Sequence, residues 1–217
     1  MTPFLLILSS PSGGGKTTIA RALLAARDDL GYSVSATTRA PREGERDGVD
    51  YFFQSRAEFE ERRGRGEFLE WAEYGGSLYG TLNAEVDRVL ETGSSVVLDI
   101  EVQGARQVRE RRSDVVGIFI LPPSADVLVE RLSQRGAATG EELRRRMQRA
   151  REELELAPTY DYIVENDNRT QAVSEVAAII DSESRRAGRI TALERSVSEM
   201  RQRLLELVNQ IPLKEET

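Results

Sequence analysis

The residues of this sequence best suited to chemistry are three glycines followed by a lysine and two threonines. An apolar run at residues 4–8 leads into the loop SSPSGGG at 9–15 and then into Lys16 and Thr17, and a helix-periodic segment follows. Consecutive glycines let backbone N–H groups turn toward one anion, and the following helix N-terminus adds positive potential. In such a site the lysine meets the terminal phosphates and the threonine hydroxyl ligates Mg²⁺. The stretch therefore predicts a phosphate-binding loop.

Two features of the sequence bear on this prediction. The pattern G-x-x-x-x-G-K-[ST] asks for glycine where this chain has Ser10, so a purely structural glycine-rich turn is the alternative. In favour of the nucleotide site, 28 of the 30 basic residues are arginine, and the two lysines are Lys16 and Lys214. A chain that uses arginine almost everywhere keeps lysine where a compact ammonium is needed. We interpret the loop as a nucleotide site.

A second apolar run, SVVLD at Ser95–Asp99, ends in a carboxylate. In proteins with a phosphate-binding loop, the aspartate that organises Mg²⁺ stands at the end of such a strand. The alternative is an ordinary aspartate at a strand end. Because the loop is present, we favour the functional interpretation of Asp99.

Composition excludes several classes of function. The chain has 217 residues, a net charge of −7, no cysteine and no histidine. Disulfides, thiolate metal sites, zinc catalysis and a histidine base are therefore excluded, and an acidic surface disfavours nucleic acid as a partner. The N-terminal apolar run of residues 4–8 is too short for a signal peptide or a membrane span, so we expect a soluble cytoplasmic protein without membrane contact.

The order of apolar runs and helix-periodic segments predicts an α/β fold, with a mostly parallel sheet and helices on both faces. We expect an extended segment over 32–36, a polar loop over 37–50 and a strand over 68–74. Alternation along that strand places four side chains on one face: Phe68, Glu70, Ala72 and Tyr74.

Capping residues mark the helix N-termini. Ser55 with Glu58 forms a capping box, and Thr139 with Glu142 forms another. Single caps are predicted at the starts of three further helices, at Asn83, Ser124 and Asn168.

The C-terminal segment 189–217 has a heptad pattern. Apolar residues recur at spacings of three and four along it: Ile190, Leu193, Val197, Met200, Leu204, Leu207 and Ile211. This pattern predicts an amphipathic coiled-coil helix that stops at Pro212. The helix could pair with a second copy of the chain, fold back on its own core or dock a second protein. A narrow seam suits a helix partner, so we favour a homodimer.

Several stretches resemble the guanylate kinase family. In chain order they are SPSGGGKTT, VSATTRAPREGERDGVDYFF, FLEWAEYGGSLYGT, LDIEVQG, ERLSQRG, RRRMQRA and YDYIVEND. The resemblance covers residues 4–186, and its middle stretches are specific to that family. It implies a P-loop NTPase-type three-layer α/β/α core with a parallel sheet, a GMP-binding insert and a mobile lid.

The resemblance also implies a division of the chain. A kinase-like domain would span 1–188, with its core at 1–33, 83–125 and 151–188. The GMP-binding insert would be 34–82 and the ATP lid 126–150. The heptad helix at 189–217 lies outside the usual length of the family.

For ATP, the phosphoryl donor, the resemblance implies contacts from the loop and one asparagine: Ser12, Gly13, Gly14, Gly15, Lys16, Thr17, Thr18 and Asn166. The residues that it implies for catalysis are cations, namely Lys16, Arg39, Arg135 and Arg146. Arg131 is a weaker candidate. Mg²⁺, the cofactor of ATP, would be bound by Thr17 directly and by Asp99 through water.

For GMP, the resemblance implies contacts from Ser35, Arg39, Arg42, Tyr51, Glu70, Tyr79, Gly80, Thr81 and Glu101. Two arginines offer paired N–H groups to the phosphate, and tyrosine hydroxyls satisfy the remaining oxygens. The Glu70 carboxylate would accept both guanine N1–H and N2–H, whereas adenine would leave it buried and unpaired. The family often has Ser where Thr81 stands and Asp where Glu101 stands. Glu101 is a methylene longer, so its role is the most open of the set.

The implied reaction is transfer of the ATP γ-phosphoryl group to GMP, and to dGMP. The attacking phosphate is already anionic at neutral pH, so the reaction needs no histidine base. Two alternatives are a non-catalytic guanylate-kinase-like binding domain and a sister kinase for another phosphorylated small molecule. The presence of Lys16, Thr17 and Asp99 disfavours the first alternative. Glu70 and Ser35 favour guanine over the second.

Overall fold

Two β-sheets organise the fold of the part of the chain that the computed structural model describes, residues 2–134 and 140–210. Within these residues the strands are β1 (Leu5–Ser9), β2 (Leu30–Tyr32), β3 (Ser35–Thr37), β4 (Phe52–Phe53), β5 (Phe68–Tyr74), β6 (Ser77–Leu82), β7 (Ser95–Asp99), β8 (Val115–Leu121) and β9 (Tyr162–Glu165). The helices are α1 (Lys16–Ala26), α2 (Arg56–Gly64), α3 (Asn83–Leu90), α4 (Val102–Arg111), α5 (Ala125–Gln134), α6 (Gly140–Glu155), α7 (Arg169–Ser184) and α8 (Leu193–Asn209). Short 3₁₀ turns occupy Ala157–Thr159 and Ala187–Arg189.

The first sheet is parallel throughout, with strand order β2-β7-β1-β8-β9. Alternate residues of β1 project to opposite faces. Leu6 and Leu8 pack with α1 and α7, whereas Leu5 and Ile7 pack with α3 and α4. A strand covered on both faces needs apolar residues at every position, which explains the continuous apolar run. The predicted α/β fold, with a parallel sheet between two layers of helices, is confirmed.

The second sheet is mixed, with strand order β4-β3-β6-β5. β3 pairs in parallel with β4 and antiparallel with β6, which pairs antiparallel with β5. Helix α2 covers one face, where the Phe59 and Phe68 rings stack with centroids 4.3 Å apart. The single extended segment predicted over 32–36 is wrong. Residues 30–32 pair with β7, and the chain then crosses to the second sheet, where 35–37 pair with β6.

A β-bulge in β5 changes which residues share a face. The register between β5 and β6 shifts between Phe68 and Glu70. As a result, Phe68 joins the apolar cluster under α2, while Leu69 packs in the cluster that contains α4. The prediction that Phe68 and Glu70 share one face is therefore wrong, because strict alternation fails at a bulge.

Most predicted helix caps are present. Ser55 and Glu58 form the expected capping box, and the side chains of Ser124 and Asn168 accept backbone N–H groups at the starts of α5 and α7. The predicted cap at Asn83 is wrong, because Leu82 occupies the cap position and the Asn83 amide donates to Gly66 O at 3.2 Å. The Thr139 box lies outside the described residues.

Helix α4, which the sequence did not lead us to expect, is held to β5 by two polar side chains, Gln107 and Arg111, of which Arg111 donates to the carbonyl oxygen of Phe68 at 3.0 Å. The Gln107 amide donates to the carbonyl oxygen of Trp71 at 2.7 Å and accepts from its backbone N–H at 3.2 Å. On its other side the Trp71 ring lies under the guanidinium of Arg63, at 4.6 Å from the ring centroid. The second sheet is therefore attached to the core by polar contacts with α4.

The C-terminal helix α8 follows a firm anchor but has no buried residue of its own. The Arg189 guanidinium bonds Glu183 at 2.6 Å and lies 4.3 Å from the centroid of Phe4, and its carbonyl accepts from Thr2. Ala192 then adopts a left-handed conformation, with φ of 64°. The heptad prediction for Ile211 and Pro212 lies outside the described residues. Within those residues, no helix has the length and apolar character to cross a bilayer.

Candidate active site

The glycine-rich loop joins β1 to α1 at the carboxyl edge of the first sheet. Gly13 and Gly15 have φ of 88° and 96°, values that side chains rarely permit. A Cβ on Gly14 would lie 2.6 Å from the Cβ of Ser10, so the serine that replaces the expected first glycine is accommodated because position 14 has no side chain. The Ser10 hydroxyl donates to Pro11 O at 2.9 Å. The loop therefore keeps its turn without the first glycine.

Lys16 opens α1 and lies between two carboxylates. Its Nζ is 2.5 Å from Glu101 Oε1 and 3.9 Å from Asp99 Oδ1. Burial acts to lower the pKa of Lys16, but the negative charges of Glu101 and Asp99 outweigh it, so the pKa lies above its usual value. Lys16 is therefore a permanent cation at the loop.

Asp99 ends β7 beside the loop, as the sequence predicts. Burial raises the pKa of Asp99, and the charge of Lys16 opposes that shift. The Oδ1 atom is buried and accepts no hydrogen bond within the described residues, while the Thr17 side chain is exposed at the start of α1. A hydroxyl and a free carboxylate oxygen are hard donors that fit Mg²⁺. The described residues contain no group of three or more acidic ligands around one point, so a metal here would take its remaining ligands from phosphate and water.

A cavity of about 330 Å³ opens next to the loop. Its lining comes from the loop, α5 and the segment after β9: Gly13, Gly15, Thr18, Arg131, Gln134, Asn166, Asp167 and Arg169. The Asn166 amide donates to Gly14 O at 2.8 Å, and Arg131 Nη2 donates to Asn166 O at 3.2 Å. Arg131 Nη1 is buried without a hydrogen-bond partner in the described residues. Arg131 is therefore a stronger candidate for a site residue than the sequence alone indicated.

Polar side chains line the second sheet opposite α2. Ser35, Thr81 and Glu70 lie side by side across β3, β6 and β5. The Thr81 hydroxyl donates to Glu70 Oε1 at 2.6 Å. Glu70 is only 4% exposed, and burial raises its pKa to about 7, with the charge of Glu101 acting in the same direction. These residues offer one buried carboxylate beside the Thr81 hydroxyl, with the Ser35 hydroxyl one strand further along the row.

The Glu70 carboxylate fits against a glycine that the sequence analysis missed. A Cβ on Gly104 of α4 would lie 2.2 Å from Glu70 Oε2. Gly80, by contrast, is on the opposite side of its strand, where a Cβ would meet the Phe68 ring at 2.8 Å. Because Gly104 has no side chain, the Glu70 carboxylate fits against α4. Because Gly80 has none, the Phe68 ring of the apolar core fits against β6.

The four residues expected at the GMP phosphate lie at the end of the second sheet and in the loop after β3. Arg39 forms two bonds to the Glu45 carboxylate, at 2.8 and 2.9 Å, and lies 5.3 Å from the centroid of Tyr51. The Tyr51 and Tyr79 rings meet edge to face at 6.1 Å. Arg42 is exposed, and its backbone N–H also donates to Glu45. Glu45 thus links the Arg39 guanidinium to the backbone of Arg42.

The lid arginines are only partly described. Arg146 on α6 pairs with Glu142 and donates to Leu132 O at 3.4 Å, which directs it toward α5. Arg135 lies outside the described residues.

Glu153, also on α6, is a site residue that the sequence analysis missed. Its Oε2 accepts the backbone N–H of Ser12 in the loop at 3.0 Å. Burial raises the pKa of Glu153 to about 7, and the charge of Glu101 adds to the shift. The one signal in the sequence is its spacing of seven from Arg146, which places both on one helix face.

The strand, glycine loop and helix at the carboxyl edge of a parallel sheet define the class: a P-loop nucleotide-binding protein. A sequence profile described as guanylate kinase matches residues 3–183. The chain belongs to the guanylate kinase family.

Relatives agree with this assignment. The guanylate kinase of Halalkalibacterium halodurans is 49% identical over 179 residues, which cover 82% of this chain and 88% of the relative. The guanylate kinase of Bacillus subtilis is 45% identical over 187 residues, which cover 86% of this chain and 92% of the relative. Among solved structures, the guanylate kinase of Anaplasma phagocytophilum matches with a TM-score of 0.73 and 33% identity, covering 89% of this chain and 93% of that one.

One relative bears on the C-terminal helix. The guanylate kinase of Clostridium perfringens strain SM101 is 45% identical over 202 residues, covering 92% of this chain and 94% of the relative. Residues 1–188 cannot supply an alignment of that length, so it continues into the segment at 189–217. The expectation that this segment lies outside the length of the family does not hold for this relative.

Proposed function

We propose that this protein transfers the γ-phosphoryl group of ATP to GMP and dGMP, giving ADP and the guanosine diphosphate. The observation that carries the proposal is the position of Glu101 between two sites. Its carboxylate bonds Lys16 of the phosphate-binding loop, and it immediately precedes α4, whose Gly104 lies against the buried Glu70 carboxylate of the second sheet. The loop and the polar face of the second sheet would therefore face a common cleft, as a reaction between two nucleotides requires.

Guanine would bind at the polar row Ser35, Thr81 and Glu70. The Glu70 carboxylate accepts N1–H and N2–H together, and a hydroxyl donates to O6. Adenine lacks these donors and would leave Glu70 buried and unpaired. A site of this kind rejects the wrong base by roughly 10⁴–10⁵-fold.

The GMP phosphate would bind to Arg39, Arg42, Tyr51 and Tyr79. The two bonds between Arg39 and Glu45 are of the kind that a guanidinium forms with a phosphate, so a phosphate would replace the carboxylate there. A phosphate oxygen of GMP then attacks the γ-phosphorus of ATP in line. The new O–P bond forms as the bond to the bridging oxygen breaks, and that oxygen leaves with ADP.

The ATP phosphates would bind to the loop at residues 12–18, with Lys16, Arg135 and Arg146 neutralising the charge that the transferred group spreads over its oxygens. Asn166 would lie beside the adenine. Thr17 and Asp99 would hold Mg²⁺, which neutralises phosphate charge when bound. Movement of the GMP insert (34–82) and the lid (126–150) over the core would exclude water, which is a competing acceptor.

A cytoplasmic location is part of the proposal, since that is where GMP and ATP are available to an enzyme of nucleotide metabolism.

A coupled assay for ADP formation, with Mg²⁺ and ATP, tests the function on a panel of GMP, dGMP, AMP, UMP and CMP. We expect turnover with GMP and dGMP and at least about 10⁴-fold lower kcat/KM with the others. Lys16→Ala, compared at equal folded fraction, should lose at least about 100-fold in kcat. Full activity on another acceptor would identify a sister kinase, and activity on none would identify a binding domain. Either result refutes the proposal.

We also propose that α8 pairs with α8 of a second copy of this chain, as a two-helix coiled coil. Most of its exposed apolar side chains form one seam, with Val197 at 47%, Met200 at 66% and Leu204 at 55% exposure, and Leu205 lies beside the seam. Helices in proteins are stabilised mainly by packing of an amphipathic face, and α8 buries none of its own residues, so a partner helix would supply that packing. The helix has three acidic and three basic residues, namely Glu194, Glu199, Glu206, Arg195, Arg201 and Arg203. A helix without net charge suits a copy of itself better than a strongly charged partner.

A further inference from the structure

The lysine of the phosphate-binding loop has a carboxylate partner within the protein itself. Glu101 Oε1 lies 2.5 Å from Lys16 Nζ, whereas the Asp99 carboxylate is at 3.9 Å. The Lys16 side chain is 14% exposed, so water can do little to replace a lost partner. ATP phosphates that bind this ammonium must therefore compete with the carboxylate of Glu101.

Glu101 also has a free acceptor. Its Oε2 atom is buried and receives no hydrogen bond from the described residues. Glu101 immediately precedes α4, and the carboxylate of Glu70 packs against the first turn of that helix, where a Cβ on Gly104 would lie 2.2 Å from Glu70 Oε2. A ligand that brings N–H donors between these two carboxylates would satisfy both and would compete with Lys16 for Glu101.

We propose that Glu101 is a positioning residue that couples the two substrate sites: it holds Lys16 in the empty enzyme, and binding of GMP draws it toward guanine and releases Lys16 for the ATP phosphates. This inference rests on the proposed function, because GMP must be the ligand that supplies the donors. The coupling is reciprocal, so ATP must strengthen GMP binding by the same factor.

The length of the side chain is what the coupling depends on. Aspartate at 101 is shorter by one C–C bond, about 1.5 Å, so its carboxylate would not keep a 2.5 Å contact with Lys16 without movement of the backbone. Glutamine keeps the length but loses the charge that holds the ammonium. Both variants should free Lys16 in the empty enzyme, although only the aspartate keeps a carboxylate for guanine.

Calorimetric titration of the full chain with a non-hydrolysable ATP analogue and Mg²⁺, with and without saturating GMP, tests the coupling. For the natural sequence we expect GMP to lower the Kd of the analogue by about 5-fold or more. In Glu101→Asp and Glu101→Gln the analogue alone should bind several-fold more tightly than to the natural sequence, and the effect of GMP should fall below about 2-fold. Glu110→Asp, the same shortening at an exposed position of α4, should behave as the natural sequence does.

Thermal unfolding establishes that each variant is folded before titration. An unchanged effect of GMP in both Glu101 variants overturns the inference, as does the absence of any effect in the natural sequence while both ligands bind. These results leave phosphoryl transfer to GMP intact and so differ from a failure of the proposed function. If GMP does not bind to the natural sequence and no transfer occurs, both proposals are refuted.

Discussion

Glu70 combines burial with a hydrogen bond from Thr81, and it has no cation as a direct partner in the described structure. A carboxylic acid in this setting is protonated until the pH approaches about 7, where a solvated glutamate would long be ionised. Ionising the buried Glu70 therefore costs free energy at neutral pH when no guanine is bound, although guanine would need Glu70 in its ionised form. Binding to guanine would offset that cost.

Glu70 should make the ligand-free protein less stable as the pH rises. Between about 4.5 and about 7 the unfolded chain loses the Glu70 proton while the folded chain keeps it, so the free energy of unfolding falls with pH. The full effect is about 3 kcal/mol at about 1.4 kcal/mol per pH unit. Urea unfolding at about pH 5 and about pH 8 should show that Glu70→Gln is relatively more stable at the higher pH, by up to this amount.

The control is Glu73→Gln, which lies on the same strand but is exposed. This substitution should change the free energy of unfolding by the same amount at both pH values. An identical effect of Glu70→Gln at both values would mean that Glu70 is ionised in the folded protein.

Among single residues, those that lie in a recognisable sequence motif could be predicted. Lys16 and Asp99 lie together beside the loop, and Ser35, Thr81 and Glu70 form one row, although nothing local in the sequence links the two groups. Gly104 and Glu153 could not be predicted, because their significance comes from a carboxylate and a backbone N–H that only the tertiary fold brings to them.

At the scale of elements, α4 is the helix that supports the proposed GMP site. It contains Gly104 against Glu70, it holds β5 through Gln107, and Glu101 immediately precedes it. Glycine inside a helix costs about 1 kcal/mol relative to alanine, so a glycine retained there points to a packing constraint.

Gly104→Ala should therefore impair GMP binding even though it favours the helix. The added Cβ would lie 2.2 Å from Glu70 Oε2 and displace the carboxylate. Steady-state kinetics should show at least about a tenfold rise in KM for GMP, with KM for ATP changed by less than about twofold.

Gln103→Ala, at the exposed neighbouring position of α4, is the matched control and should leave both KM values unchanged. If Gly104→Ala has a normal KM for GMP, Glu70 does not need its present position to bind the substrate.

Hydrophobic periodicity was sufficient to predict elements that belong to one sheet. It failed where one segment of the chain contributes to both sheets. Strands β1 and β7 of the first sheet were predictable because both of their faces are apolar. The break between β2 and β3 and the bulge in β5 were not, since pairing with β7 and β6 decides both. Helix α4 was not predicted, because arginines and glutamines separate its few apolar residues.

At the scale of the whole molecule, the body and α8 differ in how they are stabilised. The body has apolar clusters on both faces of the first sheet, whereas α8 follows the Arg189 anchor and buries nothing of its own. A truncation made just before Arg189 would remove the ion pair with Glu183, so it would test the stability of the body together with oligomerisation.

Substitutions on α8 separate these effects. Met200→Glu and Leu204→Glu place charges in the exposed seam and should convert a dimer to a monomer in sedimentation equilibrium, without lowering the melting temperature of the body. Gln202→Glu, an exposed polar position of the same helix, is the control and should remain dimeric. A natural sequence that sediments as a monomer at high concentration would exclude the homodimer.

The contact between α4 and β5 has an optical consequence. Trp71 is the single tryptophan of the chain, and it adjoins Glu70, stacks with Arg63 and is bonded through its backbone by Gln107. Intrinsic fluorescence excited at the indole band therefore originates from one ring on the second sheet. The ring lies on the α2 face of that sheet, away from Glu70. We therefore expect a ligand at Glu70 to change the emission only through the β5 backbone, and a ligand confined to the phosphate-binding loop to change it less.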